Sequence, residues 1–371
     1  MTLATLDESD PDIGLLRVLR DDGSVDAATD PALPAAVLLK AYREMRRLRI
    51  IDARMILLQR QGRVGFYGAA TGQEAVPIAT GLALHPDDWV FPALREQSIM
   101  LVRGFPLREY IGQVFGNAAD PLKGRQPPSH QAGKKVHQVS WSPCIANQIP
   151  HAVGAAWAMK KKGATSVALG FCGDGATSEP DFHASMNFAG VFKIPVVIVC
   201  QNNHWSISVP TEKQTASRTI AVKGRAYGVP SVRVDGNDVI AVHKAISDAC
   251  EHARSGKGPY FIEALTYRMG AHTSSDDPKL YRTDEEVEVW AKKDPVDRLR
   301  RHLVKNAMID DAYDAKLDSE LSEEILAVIR EVEDLAAPTV DSMFEDVYAE
   351  LPWHLREQSA ALAKLPRAPK H

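Results

Sequence analysis

Two uninterrupted apolar runs, SVALGFC at 166–172 and PVVIVC at 195–200, limit the folds open to this chain more than any other feature. A strand with one face in water alternates apolar and polar residues; a run with no polar interruption is buried on both faces. Helical segments stand before, between and after these runs, and further strands are expected at DDWVFPAL, SVRV and YFIEALTYR. Strand–helix alternation of this kind predicts an α/β fold: a doubly wound, mostly parallel sheet with helices on both faces.

Around this core the reading is coarser. Residues 1–34 are polar, carry Pro31 and Pro34, and read as a loosely attached arm. Residues 35–284 read as the α/β domain, opening with a long helix that Gly62 stops. Residues 118–143 form a long irregular stretch, and loops of that length in compact domains are more often functional than idle. Residues 285–371 read as a helical C-terminal extension. The 371 residues carry a net charge of −4, with none of the basic footprint of nucleic-acid binding. The basic clusters Lys160-Lys161-Lys162 and Arg298-Leu299-Arg300-Arg301 read as solvated helix faces or ends. No apolar stretch is long enough to span a membrane. The acidic N-terminus MTLATLDESDPDIG reads as neither a secretory signal nor a transit peptide, so a cytoplasmic location is the default expectation. Cys144, Cys172, Cys200 and Cys250 form no C-x-x-C pair, which argues against a zinc site or a redox dithiol.

The chemistry begins where the two apolar runs end. The first is followed by Gly173-Asp174-Gly175, the second leads through Gln201 to Asn202-Asn203. In a doubly wound sheet, ligands bind beyond the carboxyl ends of the strands. If these strands are neighbours, an aspartate oxygen and an asparagine amide oxygen converge on one rim and suit a hard cation such as Mg2+. Gly173 and Gly175 allow close backbone approach to a ligand. The helix opening near Pro180 offers its N-terminal dipole to an anion. Two tight turns rich in residues that tolerate positive φ are the bland alternative. Their pairing after two successive buried strands favours a metal–diphosphate site.

GDG followed by NN resembles the thiamin diphosphate binding motif. Together with RQGRVGFYGAATGQEA, KGRQPPSH, VDGNDVIAV and TYRMGAHTSSDDPKLYR, it resembles the alpha subunit of the E1 component of 2-oxo acid dehydrogenase complexes, from about residue 40 to 362. The resemblance implies Mg2+ on Asp174, Asn203 and the Trp205 carbonyl, and a diphosphate lined by Gly173, Gly175 and Ala176. Arg95 would grip the phosphate, Ile145 would touch the aminopyrimidine ring, and His272 would face the cofactor as the catalytic histidine. His204 and His183 compete with it; His204 could reach the pocket, whereas His183 reads as packing or capping. The family often has Tyr where this chain has Leu94. The segment SWSPCIANQ also departs from the family pattern, and the potassium ion that some members hold there is not carried over. Thr273 falls where mitochondrial relatives carry a regulatory phosphoserine, a regulation not expected here.

The same resemblance implies oxidative decarboxylation of a 2-oxo acid and reductive acylation of a lipoyl group on an E2 acyltransferase. GDG and NN occur once, so the glutamate that activates the cofactor is expected from an E1 beta subunit in an alpha2beta2 heterotetramer. Pyruvate, branched-chain 2-oxo acids and acetoin all stay open as substrates. A non-catalytic nucleotide-binding α/β scaffold is the alternative from another class, and the absence of G-x-G-x-x-G speaks against it.

Overall fold

The computed structural model describes residues 14–366. In chain order the helices and strands are α1 (Ala35–Arg60), α2 (Ala75–Ala83), β1 (Trp89–Phe91), α3 (Ser98–Val102), α4 (Leu107–Phe115), α5 (Gln148–Lys161), β2 (Ala168–Gly173), α6 (Pro180–Phe192), β3 (Val196–Asn202), β4 (Trp205–Ser206), β5 (Val209–Pro210), β6 (Ser231–Asp235), α7 (Val239–His252), β7 (Tyr260–Leu265), α8 (Asp284–Ala291), α9 (Pro295–Lys305), α10 (Asp311–Glu333) and α11 (Trp353–Leu362). Five strands form one parallel sheet in the order β1-β2-β3-β7-β6, and β4 with β5 makes a small antiparallel hairpin beside it.

The pleat explains the apolar runs. Alternate residues of a strand point to opposite faces. Leu169, Phe171, Val197 and Val199 enter the core shared with α1, α2 and α7, whereas Ala168, Cys172, Ile198 and Cys200 enter the core shared with α5 and α6. Both faces are buried, so polar residues enter these strands only at their last positions, Gln201 and Asn202 of β3. A third core joins Ile51, Met55 and Leu58 of α1, Tyr110 and Val114 of α4, and Ile325, Ile329 and Val332 of α10. The C-terminal helical region therefore packs on the α/β unit through α10, while α11 buries none of its residues.

Two sequence expectations change here. Residues 14–34 are not loosely attached: Val18 and Leu19 are fully buried, and Leu16 pairs in parallel with Val234 at the sheet edge. Their backbone N–H groups donate to Asp238 Oδ2 at 2.7 and 2.6 Å, while Asp238 Oδ1 caps α7 through Ile240 N and Ala241 N. Arg298 is not solvated either. It is fully buried and pairs with Asp235 at 2.7 Å and Asp21 at 2.5 Å, tying α9 to β6 and the N-terminal segment.

One carboxylate thus satisfies four buried donors. Asp238→Ala removes a helix cap and strands the Val18 and Leu19 N–H groups, so a loss of about 2 kcal/mol or more is expected in denaturant unfolding. A change below about 0.5 kcal/mol would mean that the N-terminal segment contributes nothing to the fold.

Candidate active site

Strands β2 and β3 are direct neighbours, with Cys172 opposite Cys200 and Gly173 opposite Gln201. Asp174 and Asn203 consequently leave adjacent strand ends on the same edge of the sheet. Both are inside: Asp174 is 2% exposed and Asn203 9%. Asp174 Oδ2 accepts from Thr211 Oγ1 and Gln214 Nε2, each at 3.0 Å. Among the described residues it makes no ion pair, and burial pushes its carboxyl above the usual carboxylate range. Asn203 Oδ1 accepts from Trp205 N at 3.2 Å, and its amide donates to Gln73 Oε1 at 2.9 Å. The same Gln73 oxygen takes Gln201 Nε2 at 2.8 Å.

Two guanidinium groups are buried on this rim. Arg95, 4% exposed, donates to the carbonyls of Ala69 and His272, the latter at 2.8 Å. Arg268, 1% exposed, donates to Trp205 O at 3.1 Å, Ile207 O at 2.5 Å and the Tyr281 hydroxyl at 2.8 Å. Among the described residues neither meets a carboxylate within ion-pair distance. Burial and the neighbouring Arg268 together depress Arg95 to about 10. Buried charges in native proteins are paired or bind ions, because each unpaired one costs several kcal/mol. A buried carboxylate lacking a cation and two buried guanidiniums lacking an anion fit a ligand that brings both: a divalent cation on an anionic phosphate.

The polypeptide around these groups serves their placement. Asp52, the polar exception on the buried stripe of α1, accepts Tyr67 OH at 2.8 Å and Ala70 N at 2.7 Å, fixing the loop whose Ala69 carbonyl holds Arg95. Arg282 donates to the carbonyls of Arg268, Met269 and Gly270 and straps the segment after β7 in place. A Cβ added at Gly175 would lie 2.2 Å from Ser206 Oγ, so that glycine is required by a close approach; at Gly173 a Cβ would meet nothing within 4 Å, leaving open space. Ala176 is buried in the turn Gly175–Ser178. That turn stands between Asp174 and α6, whose first turn carries Asp181.

Comparison with known proteins decides the family. The model of the family described as "Dehydrogenase E1 component" matches residues 42–341. The chain belongs to this family. Among its relatives, 2-oxoisovalerate dehydrogenase subunit alpha 2, mitochondrial, of Arabidopsis thaliana is 42% identical over 356 residues, covering 95% of this chain and 75% of the relative. The Pseudomonas aeruginosa 2-oxoisovalerate dehydrogenase subunit alpha is 41% identical, with 95% and 88% covered. The human mitochondrial subunit alpha is 38% identical, with 95% and 80% covered. E1 components work with thiamin diphosphate, which carries an anionic phosphate group of the kind the two arginines lack.

For this E1 chain the remaining expected residues divide. His272 joins the cluster: its carbonyl accepts from Arg95, its N–H donates to Asp276 Oδ2 at 2.7 Å, and burial, Arg95 and Arg268 hold its ring down to about 4. It is therefore neutral at pH 7. His204, the competing histidine, packs against the stacked rings of Tyr267 and Trp290, and burial pushes it down to about 3. His183 is held in packing, with Nδ1 2.6 Å from the Tyr227 hydroxyl. Ile145 is 61% exposed. Leu94 packs against Gly68, where a Cβ would lie 3.1 Å from Leu94 Cδ1. Arg268, Gln73, Thr211 and Gln214 were not singled out by sequence; the only available signal was an arginine directly behind the strand at 260–265. No helix among the described residues is long and apolar enough to cross a membrane.

A histidine with a folded pKa near 4 and an ordinary value of 6.5 binds its proton more readily when unfolded. Its contribution to stability is complete above about pH 6.5 and is lost as pH falls toward 4. Denaturant unfolding at pH 7 and pH 5 is expected to show a smaller acid-induced loss for His272→Asn than for the unsubstituted chain. Equal losses would place His272 in an unperturbed environment.

Proposed function

We propose that this chain is the alpha subunit of a branched-chain 2-oxo acid dehydrogenase E1, working with thiamin diphosphate and Mg2+ in an alpha2beta2 assembly with a beta subunit. The carrying observation is the opposed set of unpaired buried charges, Asp174 against Arg95 and Arg268, on one strand-end rim. The relatives, named for 2-oxoisovalerate, favour a branched-chain substrate over pyruvate or acetoin.

In this reading Asp174 and Asn203 hold the cation by their side-chain oxygens. The Trp205 carbonyl, which accepts from Arg268 here, would add a third once that guanidinium turns away. Arg95 and Arg268 turn from backbone carbonyls to phosphate oxygens, where a planar guanidinium can bind with two parallel hydrogen bonds. Gly173 leaves room for the diphosphate, whereas Gly175 admits the close approach of Ser206. Bound thiamin diphosphate supplies the electron sink that lets a 2-oxo acid lose CO2. His272, neutral at working pH, can accept or pass a proton through its ring nitrogens. Ile145, exposed here, would be covered by the organic end of the cofactor. The acyl group passes to the lipoyl group of an E2 acyltransferase.

Asp174→Ala is expected to abolish Mg2+-dependent binding of thiamin diphosphate in calorimetry of the assembled protein; unchanged affinity would remove the metal role. With the beta subunit present, kcat/KM for 2-oxoisovalerate should exceed that for pyruvate by about tenfold or more, the discrimination that a few methyl groups in an apolar pocket afford. A preference for pyruvate or acetoin, or full activity of the chain alone, would contradict the proposal.

A further inference from the structure

The two asparagines that end β3 have different partners. Asn203 lies on the rim with Gln73, whereas Asn202 turns inward: its amide donates to Glu263 Oε1 at 2.8 Å, and its oxygen accepts His204 N at 3.1 Å and lies 3.3 Å from Thr211 Oγ1. Glu263, 1% exposed on β7, is itself held by Ala221 N at 2.8 Å. Through Asn202 the central sheet therefore anchors the β4–β5 hairpin and the turn Thr211–Lys213 that follows it. Thr211 N donates to His204 O at 3.1 Å and closes the same hairpin.

That hairpin delivers two side chains to a single atom. The Thr211 hydroxyl and the Gln214 amide both end on Asp174 Oδ2, at 3.0 Å each, and among the described residues no side chain donates to Asp174 Oδ1. The hydroxyl has one proton, and the shorter contact directs it to Asp174 rather than to Asn202. Gln214 is steadied by a second contact with Val209 O at 3.3 Å. Two donors on one carboxylate oxygen fix the rotation of the group and occupy that oxygen. Only the other oxygen is left for an ion.

The geometry points to Thr211 and Gln214 as positioning residues that make Asp174 a one-oxygen ligand and thereby set the preference of the site for Mg2+ over Ca2+. The inference rests on the reading of Asp174 and Asn203 as cation ligands. Mg2+ requires near-octahedral coordination at about 2.0–2.1 Å, whereas Ca2+ accepts two-oxygen carboxylates in a looser shell of 6–8 ligands. A carboxylate with one oxygen already engaged meets the first requirement and denies the second. Groups that orient a metal ligand typically carry about 10–100-fold in metal affinity.

The test uses the protein assembled with its beta subunit and follows thiamin diphosphate binding by tryptophan fluorescence, titrating Mg2+ or Ca2+ separately. Thr211→Val, which keeps the shape and deletes the hydroxyl, should raise the Mg2+ concentration at half-binding about tenfold or more. The Ca2+ value should move much less, so the ratio between the ions narrows. Thr211→Ser, which keeps the donor, should stay close to the unsubstituted protein, and the melting temperature without added cation should not separate the two variants. Gln214→Met should act in the same direction and serves as the second reporter if Thr211→Val does not assemble. Mg2+ midpoints within twofold of the unsubstituted protein in both Thr211→Val and Gln214→Met, or equal shifts for Mg2+ and Ca2+, would overturn the inference. Asp174→Ala in the same titration separates the two levels. If it leaves cation dependence intact, the metal reading itself fails; if it abolishes that dependence while Thr211 and Gln214 prove inert, only the positioning role is lost.

Discussion

Two guanidinium groups buried beside each other, with no carboxylate at ion-pair distance among the described residues, are the constraint on which the rest of this site depends. Among those residues Arg95 and Arg268 donate to backbone carbonyls and one tyrosine hydroxyl, and each lowers the proton affinity of its surroundings, His272 included. Such an arrangement is expensive in a low-dielectric interior and persists only because the surrounding fold is stable enough to carry it. A ligand that brings a compensating negative charge is bound by relieving that cost. Because it binds the folded state, it also stabilises that state by mass action.

The architecture explains why the charges sit where they do. Parallel strands β2, β3 and β7 are buried on both faces, and apart from Glu263 on β7 their polar residues gather at the strand ends. Asp174 and Asn203 follow the carboxyl ends of two of these strands, and Arg268 follows the third. Arg95 comes from the segment after β1 at the sheet edge. One fold-level rule, ligands at the carboxyl ends of parallel strands, accounts for the meeting of four buried polar side chains drawn from separate parts of the chain. The loops then hold rather than react: Asp52 fixes the segment that places Arg95, Arg282 straps the segment that carries His272, and Glu263 anchors the hairpin over Asp174.

Much of this was legible before any coordinates. Apolar runs without alternation gave away the doubly covered sheet, and polar pairs directly behind them marked the strand-end rim where Asp174 and Asn203 stand. What sequence left hidden has a common physical reason. Gln73, Thr211 and Gln214 act on residues 37 to 130 positions away, and nothing local distinguishes a glutamine that bridges two strand ends from one in solvent. Arg298 looked like part of a solvated basic cluster because its partners, Asp235 and Asp21, lie far off in the chain. The short apolar group at 15–19 was outweighed by the polar residues around it, although Val18 and Leu19 are core. Asn202 and Asn203 look identical in sequence; only the neighbouring strand with Glu263 tells the anchor from the rim residue.

The most direct measurement is a crystal structure of the assembled protein with thiamin diphosphate and Mn2+ in place of Mg2+, read at the manganese anomalous edge. The account expects one anomalous peak in contact with an Asp174 oxygen and the Asn203 amide oxygen, with Arg95 and Arg268 swung from their carbonyls onto the phosphate oxygens. A peak away from Asp174, or phosphate density with both guanidiniums still seated on the backbone, would contradict it.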